Sequence, residues 1–285
     1  PIIFHQLEGF FCDFAHRSHV ITILHIKNRP DVQASNGGMR IPCACGFIFC
    51  KNAGELISVL RKVWQSDRAI LDKRNWFGRC FHRHHDIPLK QARADAVAMA
   101  RYMEFYGGAA DKIHGETLPY LEGYTVYTLR EAHGVTGHIV PWNYPMQIIG
   151  RSVGAALAMG NCCVLKPAEE ACLSALMFAE LARQAGLPSG VLNVVPGLGA
   201  QAGAALAAHD GINQLSFTGS VATGRLVQAA AAQNVGPVTL ELGGKSPQIL
   251  FEDADVAAAL PFLINAGIQN AGQTCSASSR ILVQR

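Results

Sequence analysis

GVTGHIVPWNYPMQIIGRSVGAALAMGNCCVLKP, residues 134–167, is the stretch that decides the fold. Its opening is a short apolar run that meets two prolines, Pro141 and Pro145. MQIIGRSVGAALAMG then repeats apolar residues at helical spacing and ends on glycine, and NCCVLKP is a second short apolar run. Strand, helix and strand in so few residues make a right-handed βαβ unit with parallel strands. The alternation continues outward: ACLSALMFAELARQAG reads as helix, GVLNVVPG as strand, and the Gly/Ala-rich run to Ala208 as helix. NQLSFTG, SVATGRLVQAAAAQ and PVTLEL follow as strand, helix and strand. The expected class is α/β, with a Rossmann-like parallel sheet covered on both faces. Ligands of such sheets lie at the carboxyl ends of the strands. Asn143, Lys166, Gly219 and Glu241 all fall just after an expected strand.

Toward the N-terminus, KQARADAVAMARYMEFYGGAADKIHG reads as an amphipathic helix and ETLPYLEGYTVYTLREAHG as an exposed hairpin. Residues 1–86 show helical spacing only in KNAGELISVLRKVWQ, and no fold is assigned to them. Composition breaks at the same place. Up to Asp86 there are twelve Lys/Arg against seven Asp/Glu, and beyond it twelve against fourteen. The net charge of +3 over 285 residues gives no overall nucleic-acid signature. No run of about eighteen apolar residues suggests a membrane span. PIIFHQLEGFFCDFAH does not read as a secretory leader, and irregularly spaced cysteines in a chain this long do not read as a secreted disulfide framework, so a reduced, cytoplasmic protein is expected.

Four features bear on chemistry. In NAGQTCSASSR, Cys275 stands among small residues that leave its sulfur reachable, as a nucleophile requires, although a lone cysteine is more often a buried filler. Glu241, in LELGGKSP, ends a strand expected to be buried, where a desolvated carboxylate suits a general base; a structural carboxylate bound by loop amides is the even alternative. Asn143 sits between prolines that stiffen its loop and can donate to an oxyanion, an Asx-type turn being the plainer reading. Among the glycine loops, GLGAQAG at 197–203 departs from dinucleotide fingerprint spacing and reads as a strand-to-helix turn. FTGSVATG, with Gly219 and Gly224 at a helix start, is the better phosphate cradle. Lys166 and Glu169 in KPAEE follow a strand where they can hold ribose hydroxyls.

PWNYP, KPAEE, FTGS, LELGGKSP and GQTC, in this order and at these separations, resemble the aldehyde dehydrogenase superfamily from about Ile87 to the C-terminus. The resemblance implies a Rossmann-like cofactor domain followed by the start of a second α/β catalytic domain. It implies Cys275 as the nucleophile, Asn143 as an oxyanion donor and Glu241 as the base that activates water. It further implies Lys166 and Glu169 as ribose ligands, Gly219, Ser220 and Gly224 as the pyrophosphate turn, and Val140, Pro141 and Trp142 as cofactor-pocket lining. The reaction implied is oxidation of an aldehyde to a carboxylic acid through a thiohemiacetal and a thioester. NAD is expected rather than NADP, because the Glu169 carboxylate repels a 2′-phosphate. A CoA-acylating relative is the nearest enzymatic alternative, disfavoured by the presence of Glu241.

Residues 87–241 are thus assigned to the cofactor domain, with 114–132 as an assembly-type hairpin, and 242–285 to the beginning of a catalytic domain. The family's further catalytic half has no counterpart, so a truncated, poorly active chain is expected, and a catalytically incompetent fragment that retains nucleotide binding is the second reading. Homo-oligomerisation, usual for the family, is doubtful for this chain; a small aldehyde is the expected partner, with neither nucleic acid nor membrane. For residues 1–86, unrelated joined sequence is the first expectation. Zinc ligation by Cys43, Cys45 and Cys50 with Cys12, His16 and His19 is a lesser one, because the spacings fit no pair of short knuckles. A basic nucleic-acid arm is the third.

Overall fold

The computed structural model describes residues 20–26 and 88–284. Five parallel strands form the central sheet: β4 (Val135–Ile139), β5 (Cys162–Lys166), β6 (Leu192–Val194), β7 (Gln214–Gly219) and β8 (Val238–Leu242), in the order β6-β5-β4-β7-β8. The expected α/β class and Rossmann-like sheet are therefore present. The chain winds from β4 to β6 in one direction, then returns to place β7 on the other side of β4. Strand order reverses between β4 and β7, which opens a crevice at their carboxyl ends.

Alternation along β4 explains how both faces are covered. Ile139 packs with Phe217, Val227 and Ala231, beneath α4 (Ala204–Ala208) and α5 (Val221–Ala232). Val140 packs on the opposite side with Ile149, Leu165 and Phe178, beneath α2 (Pro145–Ala158) and α3 (Cys172–Gln184). An outer helix, α1 (Leu89–Ala109), lies across α2, burying Met99 and Met103. Two small residues of α2 permit that approach. A Cβ on Gly150 would stand 3.0 Å from the Met99 Cα, and one on Gly154 3.1 Å from the Met103 Cε.

The α1–α2 contact also solves a capping problem. Pro145 opens α2 and no side chain of its own segment caps it. Asp95, from the middle of α1, accepts the N–H groups of Met146 at 3.0 Å and Gln147 at 3.1 Å. These are first-turn donors without intrahelical partners, and a carboxylate there also meets the positive end of the helix dipole. Burial dominates the titration nonetheless, pushing the Asp95 carboxyl up to about 7 while the two amides pull it back.

The expected hairpin is the antiparallel pair β2 (Thr117–Leu118) and β3 (Tyr124–Arg130). A strand from the unassigned segment, β1 (Val20–Ile26), pairs with the other edge of β3. The zinc candidates Cys12, His16, His19, Cys43, Cys45 and Cys50 lie outside the described residues. So does KNAGELISVLRKVWQ, the stretch of helical spacing.

After β8 the chain builds a second βαβ unit from β9 (Pro247–Leu250), α6 (Val256–Ile268) and β10 (Arg280–Val283), with β9 and β10 parallel. Asp255 caps α6, accepting from the Ala258 N–H at 3.0 Å. Its layer leaves much apolar surface open, including Phe262 at 76% and Val283 at 65% exposure. Among the described residues no helix is long and apolar enough to cross a membrane.

Candidate active site

Two loops meet at the carboxyl end of β4. The first is PWNYP itself, residues 141–145, running from Val140 into α2. The second runs from the end of α6 to Cys275. Here the backbone leaves the helix through three successive left-handed residues, Asn270 (φ 51°), Ala271 (φ 56°) and Gly272 (φ 76°). Only glycine takes such angles freely, while asparagine tolerates them better than most residues. The reversal lays the segment Gln273–Cys275 against PWNYP.

Three hydrogen bonds join the loops. Asn143 Nδ2 donates to the main-chain oxygen of Gln273 at 2.8 Å. The Tyr144 hydroxyl and Thr274 Oγ1 lie 3.0 Å apart. Asn270 Nδ2 donates to the main-chain oxygen of Asn143 at 3.3 Å and to that of Gln273 at 3.4 Å. Since a main-chain carbonyl can only accept, the atom that Asn143 turns to this loop is its amide nitrogen. One N–H of this amide is used on Gln273. Asn270 is buried, and its Oδ1 has no partner among the described residues.

Cys275 is exposed and unbridged, as the small neighbours suggested. Its setting contrasts with that of Cys163, fully buried in β5, whose thiol burial pushes up to about 12. Buried in the sheet and pushed so high, Cys163 is an inert filler. Cys275 acts electrostatically on Tyr144. Burial raises the Tyr144 hydroxyl above its ordinary value, the Thr274 hydrogen bond opposes this, and the charges of Asp95 and Cys275 raise it further.

Glu241 departs from expectation. β8 is an edge strand of the sheet with half-open faces, and the Glu241 side chain is 56% exposed rather than buried. The desolvation invoked from sequence is therefore missing. Its ion-pair partner is Arg151 of α2, with Nη1 3.9 Å from Oε2, and the same guanidinium reaches Thr218 Oγ1 at 3.4 Å. The glycines after Glu241 do carry the chain to the thiol loop, where the Gly244 N–H lies 3.5 Å from the main-chain oxygen of Cys275.

The nucleotide candidates line the switch-point side. Val140 is buried and Pro141 and Trp142 half-buried, directly after β4. Lys166, at the end of β5, has a side chain only 4% exposed that pairs with Glu169 Oε2 at 2.9 Å. That hydrogen bond, more than any other influence, holds the Glu169 carboxyl below its usual range, with the main-chain N–H groups of Glu169 and Gly199 adding to it. Gly199 belongs to GLGAQAG, which forms a π-helical turn (Gly199–Gly203) leading into α4, in keeping with a strand-to-helix connection. After β7, Ser220 caps α5 by accepting the Thr223 N–H at 3.1 Å. Gly224 is a packing residue as well: a Cβ there would stand 2.7 Å from Leu242 Cδ2.

Sequence reasoning passed over Asp95, Tyr144, Asn270 and Thr274. Asp95 had a readable signal, an acid among the apolar residues of DAVAMA, which burial obliges to find donors. Asn270, in QNAGQ, read only as a turn residue.

The sequence model of the Aldehyde dehydrogenase family matches residues 58–285, and the chain belongs to that family. The match begins ahead of Ile87 and takes in part of the segment that the motifs left unassigned. Hydroxyisobutyraldehyde dehydrogenase of Mycolicibacterium austroafricanum is 48% identical over 195 residues, which are 68% of this chain and 39% of that one. A Burkholderia cenocepacia protein of solved structure, described as an aldehyde dehydrogenase, superposes with a TM-score of 0.79 at 61% identity, covering 85% of this chain and 51% of the other. PnpE in complex with nicotinamide adenine dinucleotide gives a TM-score of 0.78 at 36% identity, covering 85% of this chain and 50% of that one. The chain thus spans about half the length of these relatives, or less.

Proposed function

We propose that the site oxidises an aldehyde to a carboxylic acid with NAD, using Cys275 as nucleophile. The observation that carries this reading is the Asn143–Gln273 hydrogen bond, which ties a side-chain amide to the loop of an exposed thiol across 130 residues of sequence. The Cys275 thiolate adds to the aldehyde carbon, forming the C–S bond and moving the carbonyl electrons onto oxygen. In this reading the second N–H of Asn143 and the main-chain N–H of Cys275 hold that oxyanion, a role supported by the Asn143 bond to the thiol loop. When bound, NAD supplies the hydride acceptor, so that loss of the aldehydic hydrogen leaves a thioester on Cys275. Glu241 takes a proton from water, hydroxide adds to the thioester carbon, and the C–S bond breaks to release the acid and the thiolate. For this step Glu241 must leave Arg151, and the glycines that follow it allow the shift.

The chain's own residues fit NAD. The crevice between β4 and β7 is flanked by PWNYP and by the α5 N-terminus, whose first amides suit a pyrophosphate. Lys166 and Glu169 present a fixed ammonium and an ionised carboxylate to ribose hydroxyls, and the carboxylate favours NAD over NADP.

A second reading is favoured by the open apolar layer of α6 and β10: nucleotide binding with little turnover. Aldehyde-dependent NADH formation by the 285-residue chain, abolished in Cys275→Ala, supports the first reading. NAD binding by calorimetry with no NADH formed supports the second, and absence of both sinks the two together.

A further inference from the structure

The geometry points to Asn270 as a positioning residue that aims the Asn143 amide at the oxygen of a carbonyl attacked by Cys275. The inference rests on the reading of Asn143 as oxyanion donor.

Asn143 can serve an oxyanion only if its amide plane is held, and the hydrogen bond to Gln273 holds it only as firmly as that carbonyl is itself held. Asn270 acts at both ends of this bond. One of its N–H groups goes to the main-chain oxygen of Asn143, fixing the base of the donor side chain. The other goes to the Gln273 oxygen, the very atom that Asn143 Nδ2 grips. That oxygen accepts from both amides, at 2.8 and 3.4 Å. Donor, acceptor and brace form a closed triangle, with Thr274 and Tyr144 as a parallel tie one residue along on each strand of chain.

The chemistry of the brace is specific. Both groups that Asn270 meets are carbonyls, so the position calls for two donors on one short arm. An aspartate would set negative oxygens against two acceptors. A leucine would match the shape and give neither bond. The left-handed backbone at Asn270 sends this side chain back under the loop while Cys275 stays exposed. The left-handed φ favours asparagine over most residues, and the two donated bonds put its amide to use.

The test compares two reactions of Cys275 in the full 285-residue chain, each read on the Cys275 peptide by mass spectrometry. With p-nitrophenyl acetate the thiolate forms a C–S bond through an oxyanion, which collapses to expel p-nitrophenolate and leave S-acetylcysteine. With iodoacetamide the thiolate displaces iodide and no oxyanion forms. The ratio of acylation to alkylation isolates the oxyanion contribution, and thiolate population cancels from it. Asn270→Gly suits the positive φ, so the backbone is kept and only the amide is lost. The ratio is expected to fall about 10²-fold in Asn143→Ala and about tenfold or more in Asn270→Gly. The double variant should be no worse than Asn143→Ala alone, because the brace then has nothing to aim. Asn270→Asp should lower the ratio at pH 7 and recover part of it at pH 5, where the carboxylic acid has an O–H to donate.

If Asn143→Ala leaves the ratio unchanged, the oxyanion reading fails and the inference falls with it. If Asn143→Ala lowers the ratio but Asn270→Gly and Asn270→Asp do not, the inference alone is overturned. Additive losses in the double variant overturn it too, since Asn270 would then act by another route.

Discussion

The side-chain nitrogen of Asn143 lies 2.8 Å from the main-chain oxygen of Gln273, two residues before Cys275. The bond couples the cofactor sheet to the thiol loop, so its loss should be felt in reaction rate and in loop order alike. Asn143→Asp is the discriminating change. It keeps the size but replaces the donor by an acceptor facing a carbonyl. Turnover of aldehyde is expected to fall about 10²- to 10³-fold. NAD affinity should hold, because Asn143 belongs to the thiol side. Undiminished turnover would remove the amide from the chemistry.

Asp95 and His138 oppose each other in the pH dependence of stability. His138 is buried in β4 with Nε2 2.9 Å from Thr136 Oγ1, and burial lowers its pKa from 6.5 to about 4. Between those values the unfolded chain binds more protons, so this group makes stability rise with pH. Asp95 moves from 3.8 to about 7 on folding, so across that window the folded chain binds more protons and stability falls with pH. The two slopes offset each other between about pH 4 and 6.5. Asp95→Asn should therefore gain stability relative to the parent as pH rises through this window, and His138→Gln should lose it, each by up to about 3 kcal/mol. Urea midpoints at pH 4.5 and 6.5 decide the matter. Parallel shifts at both pH values would refute the opposition.

The α2 cap gives a prediction at fixed pH. Asp95→Ala leaves the Met146 and Gln147 amides without their acceptor just behind PWNYP. A loss of about 1–3 kcal/mol in stability is expected. Amide exchange at Met146 and Gln147 should quicken more than in α3, and equal protection of the two helices would show the cap to be dispensable.

Much of this architecture was legible in the sequence, for identifiable reasons. The strands of the parallel sheet are short apolar runs separated by glycines and prolines, and the helices between them keep their period, so local pattern and global fold agree. Cys275 was readable because its exposure follows from small neighbours. The burial expected of Glu241 does not hold because an apolar run looks the same in an edge strand and in a central one, and only pairing reveals that β8 has no neighbour beyond it among the described residues. Asn270 was invisible because its partners are carbonyls of the main chain, which carry no residue identity. β1 lies in a segment whose pattern gives no strand period, and its pairing with β3 is a tertiary fact.

Glu169 is the residue whose charge should set cofactor choice. Lys166 keeps it ionised, and the pair stands at the end of β5 on the nucleotide side of the sheet. In Glu169→Gln the hydrogen-bonding shape is kept while the charge is lost. Repulsion of a 2′-phosphate should lessen, and the ratio of NADP to NAD affinity should rise about fivefold, the scale expected of one partly exposed charge. Added salt should shrink the parent's discrimination against NADP, and in the variant, where the Lys166 ammonium has lost its carboxylate partner, salt should instead lower the ratio of NADP to NAD affinity. Titration of each nucleotide by calorimetry at low and high ionic strength tests both statements. An unchanged ratio in Glu169→Gln would place the discrimination elsewhere in the crevice.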